Sequence, residues 1–189
     1  MLGAGGEEAT EWGDLDEVIR QAKMHDNVTG GVFDDFFSPK RMAIYTPDKL
    51  QTIKDRFVKG VGRPLSMWVV YYERELGVDV AKHFEPFDVI TFWTWYGENL
   101  VNLEKNLDQV IAMSPGKRVL AGCYMWDYGN KKPLTISQME HQCAVYKDYM
   151  LKGKIEGIIF CSHVIADLGI EACAWTRQWI KQVGDIELP

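Results

Sequence analysis

Five apolar runs recur along the chain, and each is followed by a segment whose apolar residues repeat at helical spacing. No other feature constrains the fold as strongly. Strands joined by helical crossovers lie parallel, because each crossover returns the chain to the same end of the sheet. The runs are VTGGVFDDFF (28–37), PLSMWVVYY (64–72), FDVITFWTW (87–95), KRVLAGCYMW (117–126) and KIEGIIFCSHV (154–164). Their cores are nearly unbroken apolar stretches, the pattern of strands covered on both faces.

Helices are expected over 14–26, 46–60, 98–113, 135–151 and 168–183, with a short helical piece near 78–84. Thr46 is placed as an N-cap with Pro47 at the first helical position and Gly60 as a stop. Thr135 and Gln138 have capping-box spacing. Ser114–Pro115–Gly116 reads as a turn, and Gly184 ends the last helix. The class is therefore α/β, with parallel strand–helix repeats in one domain. Two architectures meet this pattern: an open doubly wound sheet of the flavodoxin type, or strands 4–8 of a (β/α)8 TIM barrel. A whole barrel takes about 250 residues, and the chain has 189. A helix comes before the first strand, which fits a barrel cut near its third helix. A partial barrel leaves an open sheet edge that an N-terminal remainder would cover.

Charge and cysteine usage narrow the function classes. The net charge of −6 argues against a nucleic-acid partner, which needs a basic face. No stretch reaches the ~20 apolar residues of a membrane span. Met1–Gly6 lacks the basic and apolar regions of a signal peptide, so the sequence leaves compartment open; a glycan-degrading enzyme would belong outside the cell or in a periplasm. Cys123, Cys143, Cys161 and Cys173 form no CxxC pair and read as buried free thiols. No GxGxxG or GxxxxGK[ST] occurs, so no nucleotide cofactor is expected. The loops after the last two strands lack a Gly-rich anion cradle, which disfavours a phosphate substrate.

In both parallel architectures ligands bind at the carboxyl ends of the strands. Those ends carry Asp34, Asp35, Phe36 and Phe37; Tyr71, Tyr72 and Glu73; Trp93, Trp95, Tyr96 and Glu98; Tyr124, Trp126, Asp127 and Tyr128; then Ser162 and His163. The rim is acidic and aromatic at once. Sugar rings stack an apolar face on Trp and Tyr, and glycoside hydrolysis needs two carboxyl groups. Asp34, Asp35 and Asp127 are the candidate catalytic acids. Phe37, Tyr72, Trp93, Trp95, Tyr124, Trp126 and His163 are candidate substrate-binding residues. Each has a plainer reading. Asp34–Asp35 and Asp127 suit turns, Glu98 suits a helix N-terminus, and Glu73–Arg74–Glu75 reads as a solvated charge run. His163 suits a structural role, and Trp175/Trp179, spaced i, i+4, suit core packing. His25, His83 and His141 form no HxH or HExxH metal spacing, although Asp34, Asp35 and His163 meeting in space would suit a divalent ion.

GGVFDDFF at one strand end, with YY, FWTW and MWDYG at later ones, resembles (β/α)8 glycoside hydrolase-like proteins over roughly residues 14–184. The resemblance implies the C-terminal part of a barrel, an oligosaccharide or polysaccharide substrate, and an acid at the sugar site within the Asp–Asp–Phe run. The common pattern of Glu at strands four and seven is absent, and the matching positions hold Asp34/Asp35 and Asp127. Two further readings stay open: a carbohydrate-binding barrel without catalysis, and a metal-dependent barrel hydrolase or isomerase.

Overall fold

The computed structural model of the chain describes residues 13–162 and 165–189. Helix α1 spans Gly13–Met24 and strand β1 Gly30–Phe33, followed by α2 (Pro39–Ile44) and α3 (Pro47–Val61). Strand β2 is Ser66–Tyr72, α4 Ala81–Phe84, β3 Val89–Trp93, α5 Leu103–Met113 and β4 Arg118–Tyr124. A two-residue antiparallel ladder joins β5 (Trp126–Asp127) to β6 (Lys132–Pro133). Helix α6 (Ile136–Leu151), β7 (Gly157–Cys161) and α7 (Glu171–Val183) complete the order.

The five longer strands are parallel and lie in one sheet in chain order, β1-β2-β3-β4-β7. A flavodoxin-type sheet reverses direction after its first crossover; this one does not. The fold is α/β, consistent with a partial TIM-like barrel. None of the described helices is long and apolar enough to cross a membrane.

The chain divides into two compact units. One holds the described residues up to Tyr71, with Gly77–Thr91 and Ser114–Lys117. There β1 pairs with β2 from Gly30↔Ser66 to Phe33↔Val69. Thr46 caps α3 by accepting from the Lys49 amide, with Pro47 behind it, as the sequence predicts; the helix runs past Gly60 to stop at Gly62, which takes a left-handed φ of 75°. Leu50, Ile53 and Phe57 form its buried stripe. Phe33, Phe36 and Phe37 are buried and meet edge to face, with Phe37 continuing onto Tyr71 and Phe84 at 5.1 and 5.5 Å.

The strand expected over 28–37 ends at Phe33. Asp35 takes a left-handed φ of 48°, which turns the chain and sends Phe36 and Phe37 into the core instead of along the sheet. The short α2 has no buried residue, so no apolar periodicity announces it. Its signal is Ser38–Pro39, an N-cap whose hydroxyl accepts from the Arg41 amide with proline in the first turn.

The other unit holds Tyr72–Leu76, Phe92–Met113 and Arg118–Pro189. Here β4 pairs with β7 from Leu120↔Gly157 to Tyr124↔Cys161. The expected capping box of α6 is present, Thr135 and Gln138 each satisfying the other's backbone. The helix expected over 98–113 starts as a 3-10 turn, Gly97–Asn102, before α5. Trp175 and Trp179 stack at 6.3 Å and are half-buried, and Trp179 meets Phe160 of β7 at 6.2 Å.

Gly122 lets Trp93 lie flat on β4: a Cβ there would stand 1.9 Å from the indole. Gly122→Ala is therefore expected to lower stability by about 1–3 kcal/mol, the usual range for forced overpacking. Denaturant unfolding measures it, and an unchanged midpoint would mean that the indole swings away freely.

Candidate functional site

The carboxyl ends of β2, β3, β4 and β7 supply a cluster that lies wholly within the second unit. It begins with three consecutive residues that all act on Trp95. The Tyr72 ring meets the Trp95 indole edge-on at 5.6 Å. The Glu73 carboxylate accepts from the Trp95 amide at 2.8 Å, the Tyr96 amide at 3.2 Å and Asn99 Nδ2 at 3.2 Å. The Arg74 guanidinium stands 4.4 Å from the Tyr72 ring and 4.9 Å from the Trp95 ring, an attractive placement for a cation over an aromatic face. Glu75 turns back to accept from the Tyr72 amide at 2.8 Å.

Glu73 and Glu75 are each only 8% exposed, so the expected solvated charge run is a buried brace. The physical reason is the chain's turn after β2. Two peptide N–H groups of the β3 loop point inward with no strand partner, and a carboxylate there satisfies both. A Glu-Arg-Glu triplet carries no mark of this in the sequence.

From Trp95 the rings continue without a break. Tyr128 lies 5.3 Å from Trp95, Tyr124 lies 4.6 Å from Tyr128, and Trp93 lies 4.7 Å from Tyr124. Trp93, Tyr124 and Tyr72 are buried, Trp95, Trp126 and Tyr128 are half-buried, and Tyr96 is exposed. The Tyr128 hydroxyl bonds to the Cys161 thiol; burial first, then that neighbour, pushes its pKa up to about 12. It stays a neutral hydroxyl at physiological pH.

Asp127 is 1% exposed. Its carboxylate accepts from the Asn130 amide and from Asn130 Nδ2, both at 2.9 Å. Burial pushes its pKa up, but the Asn130 bonds, the Gly97 backbone and the Lys132 charge outweigh this and hold it below the ordinary aspartate value. The same Asn130 Nδ2 donates to Glu98 Oε2 at 2.6 Å, so one amide bridges the two carboxylates. Glu98 opens the Gly97–Asn102 turn and is exposed.

Asp34, Asp35 and Phe37 belong to the first unit. Asp34 is half-buried, its Oδ1 accepting from the Asp35 amide at 2.8 Å and its carbonyl accepting from Arg41 at 2.7 Å. Asp35 is exposed. Phe37 is buried among Phe36, Tyr71 and Phe84. His163 lies outside the described residues. Among the described residues no group of three or more His, Cys, Asp or Glu side chains could hold a metal ion.

No protein-family model matches the chain, and no curated protein does. Among solved structures it is similar to bee venom hyaluronidase, with a TM-score of 0.49 and 12% identity over 91% of this chain and 62% of that one. It is also similar to the PgaB (BpsB) glycoside hydrolase domain from Bordetella bronchiseptica, with a TM-score of 0.39 and 13% identity over 72% of this chain and 44% of that one. The chain thus spans less than two thirds of either. A backbone similarity at this level carries no function across.

Two outcomes follow from the carboxylates. Glu73→Ala strands two inward-pointing amides and is expected to cost about 1–3 kcal/mol; near-ultraviolet circular dichroism would record the released Trp95. A variant as stable as the parent, with the same spectrum, would deny the brace. Asp127 has a lowered folded pKa, so the stability it contributes is present above the unfolded value of about 3.9 and lost as pH falls through the folded one. Asp127→Asn should flatten the acid limb of stability below about pH 4. An unaltered acid limb in urea unfolding would exclude this.

Proposed function

We propose that the chain is part of a glycoside hydrolase that binds an oligosaccharide or polysaccharide at the carboxyl ends of its strands. One observation carries the reading. Trp95, Tyr96, Trp126 and Tyr128 keep partly exposed rings in the segments that follow β3 and β4, Trp95 lies 5.3 Å from Tyr128, and Glu98, in the first of these segments, shares the Asn130 amide with a second carboxylate, that of Asp127. Ring faces suit the C–H faces of a sugar. Glu98 is the accessible carboxylate there, and Asp127, held ionised by its hydrogen bonds, orders the loop behind it.

In this reading Asp34 or Asp35, following β1, supplies a reacting carboxyl, and Asp127 is proposed as a further acid of the reaction. Glycoside hydrolysis uses one carboxyl to protonate the leaving oxygen and another as nucleophile or to activate water. Trp93, Tyr124 and Tyr72 support the exposed rings from beneath; Phe37 supports the Asp34–Asp35 turn from the core. His163 is proposed to contact substrate.

A second reading is a glycan-binding barrel without hydrolysis. The burial of Asp127 favours it, because both carboxylate oxygens are engaged within the loop.

The test is hydrolysis and binding of a glycan panel, read by chromatography and calorimetry, for this chain and for a longer reading frame. Asp34→Asn or Asp35→Asn is expected to lower cleavage by about two to four orders of magnitude with the melting temperature unchanged. Asn tolerates the left-handed backbone at position 35, so that variant separates chemistry from folding. Tyr96→Ala should weaken binding. Binding without cleavage by the longer protein would select the second reading, and neither binding nor cleavage would reject both.

A further inference from the structure

Cys123 on β4 and Cys143 on α6 face each other with their sulfurs 4.0 Å apart, and both side chains are fully buried. The contact is held in register from two sides. Gln142, just before Cys143, donates Nε2 to the Tyr124 carbonyl at 2.9 Å. Tyr146, about one helical turn on, donates its hydroxyl to the Gly122 carbonyl at 3.0 Å. The carbonyls on either side of Cys123 are therefore tied to residues on either side of Cys143. A disulfide has an S–S distance of about 2.05 Å, so the gap closes when each sulfur moves roughly 1 Å. The remaining thiols are engaged elsewhere: Cys161 at the Tyr128 hydroxyl, and Cys173 against the Ile165 carbonyl at 3.8 Å.

We infer that Cys123 and Cys143 are a disulfide site, joined when the chain folds in contact with a low-molecular-weight disulfide oxidant such as oxidised glutathione. One cysteine thiolate attacks the oxidant's S–S bond, forms a mixed disulfide and releases one small thiol. The second thiolate then attacks the protein sulfur of that mixed disulfide, forms the Cys123–Cys143 bond and releases the other small thiol. The protein loses two electrons and two protons, and the oxidant gains both. Burial, with the neighbouring Cys143, pushes the Cys123 thiol up and shields it, so the exchange belongs to the stage before α6 closes over β4. The bond would join positions 20 apart and tie α6 to the sheet, restricting the unfolded chain.

The full chain is unfolded and refolded in a glutathione redox buffer, and in parallel under excess reductant; a third sample is expressed directly in an oxidising compartment. Thiols are counted by alkylation under denaturing conditions, and peptides are mapped by mass spectrometry. The expected result is two alkylatable thiols in the oxidised samples, at Cys161 and Cys173, with one cross-linked peptide pair joining Cys123 to Cys143. The oxidised chain should melt at a higher temperature than the reduced one, and Cys143→Ser should form no internal bond. Four alkylatable thiols in the directly expressed sample, or a bridge through Cys161 or Cys173, would overturn the inference.

Discussion

Glu73 holds the loop after β3 by accepting the Trp95 and Tyr96 amides together with the Asn99 side chain. Much of the geometry at this end of the second unit depends on that contact. The carboxylate fixes the backbone that carries Trp95, and Trp95 is the ring through which Arg74, Tyr72, Tyr124 and Tyr128 make common contact. A buried carboxylate is stable only when its oxygens are well supplied with donors, and here the loop provides three.

The acids at the strand ends fall into different classes by environment, not by type. Glu73 and Glu75 are internal acceptors for backbone that leaves the sheet. Asp127 organises its own turn through Asn130 and remains ionised. Glu98 reaches the same amide from an exposed position. Asp34 and Asp35 occupy a turn whose left-handed residue redirects two phenylalanines inward. An acidic, aromatic rim is thus partly a device for ending parallel strands, where backbone donors lose their partners. The carboxylates left accessible are fewer than the composition suggests, and the glycan-directed proposal rests on those.

The alternation of apolar runs and helical periods was legible because it is local: burial on both faces selects Val, Ile, Phe and Trp, and caps select Thr46, Pro47, Thr135 and Gln138. Strand ends were less legible. The apolar pattern continues through Phe36 and Phe37, yet the backbone turns at Asp35, and an apolar residue reads alike whether it extends a strand or packs beneath one. Glu73 departs from its expected solvated place for a related reason. Its burial follows from where the β3 loop passes, and nothing in Glu-Arg-Glu encodes that.

Sequence by itself determined the class of this protein, its helix starts and the set of side chains available at the strand ends, because periodicity and capping act over a few residues. Only the tertiary structure decided the strand order that separates a barrel-like arrangement from a doubly wound one. It also decided which carboxylates are buried and braced, and which two of four cysteines meet. Those are contacts between residues far apart in the chain, and their energies depend on distance and solvent access, which a linear pattern does not contain.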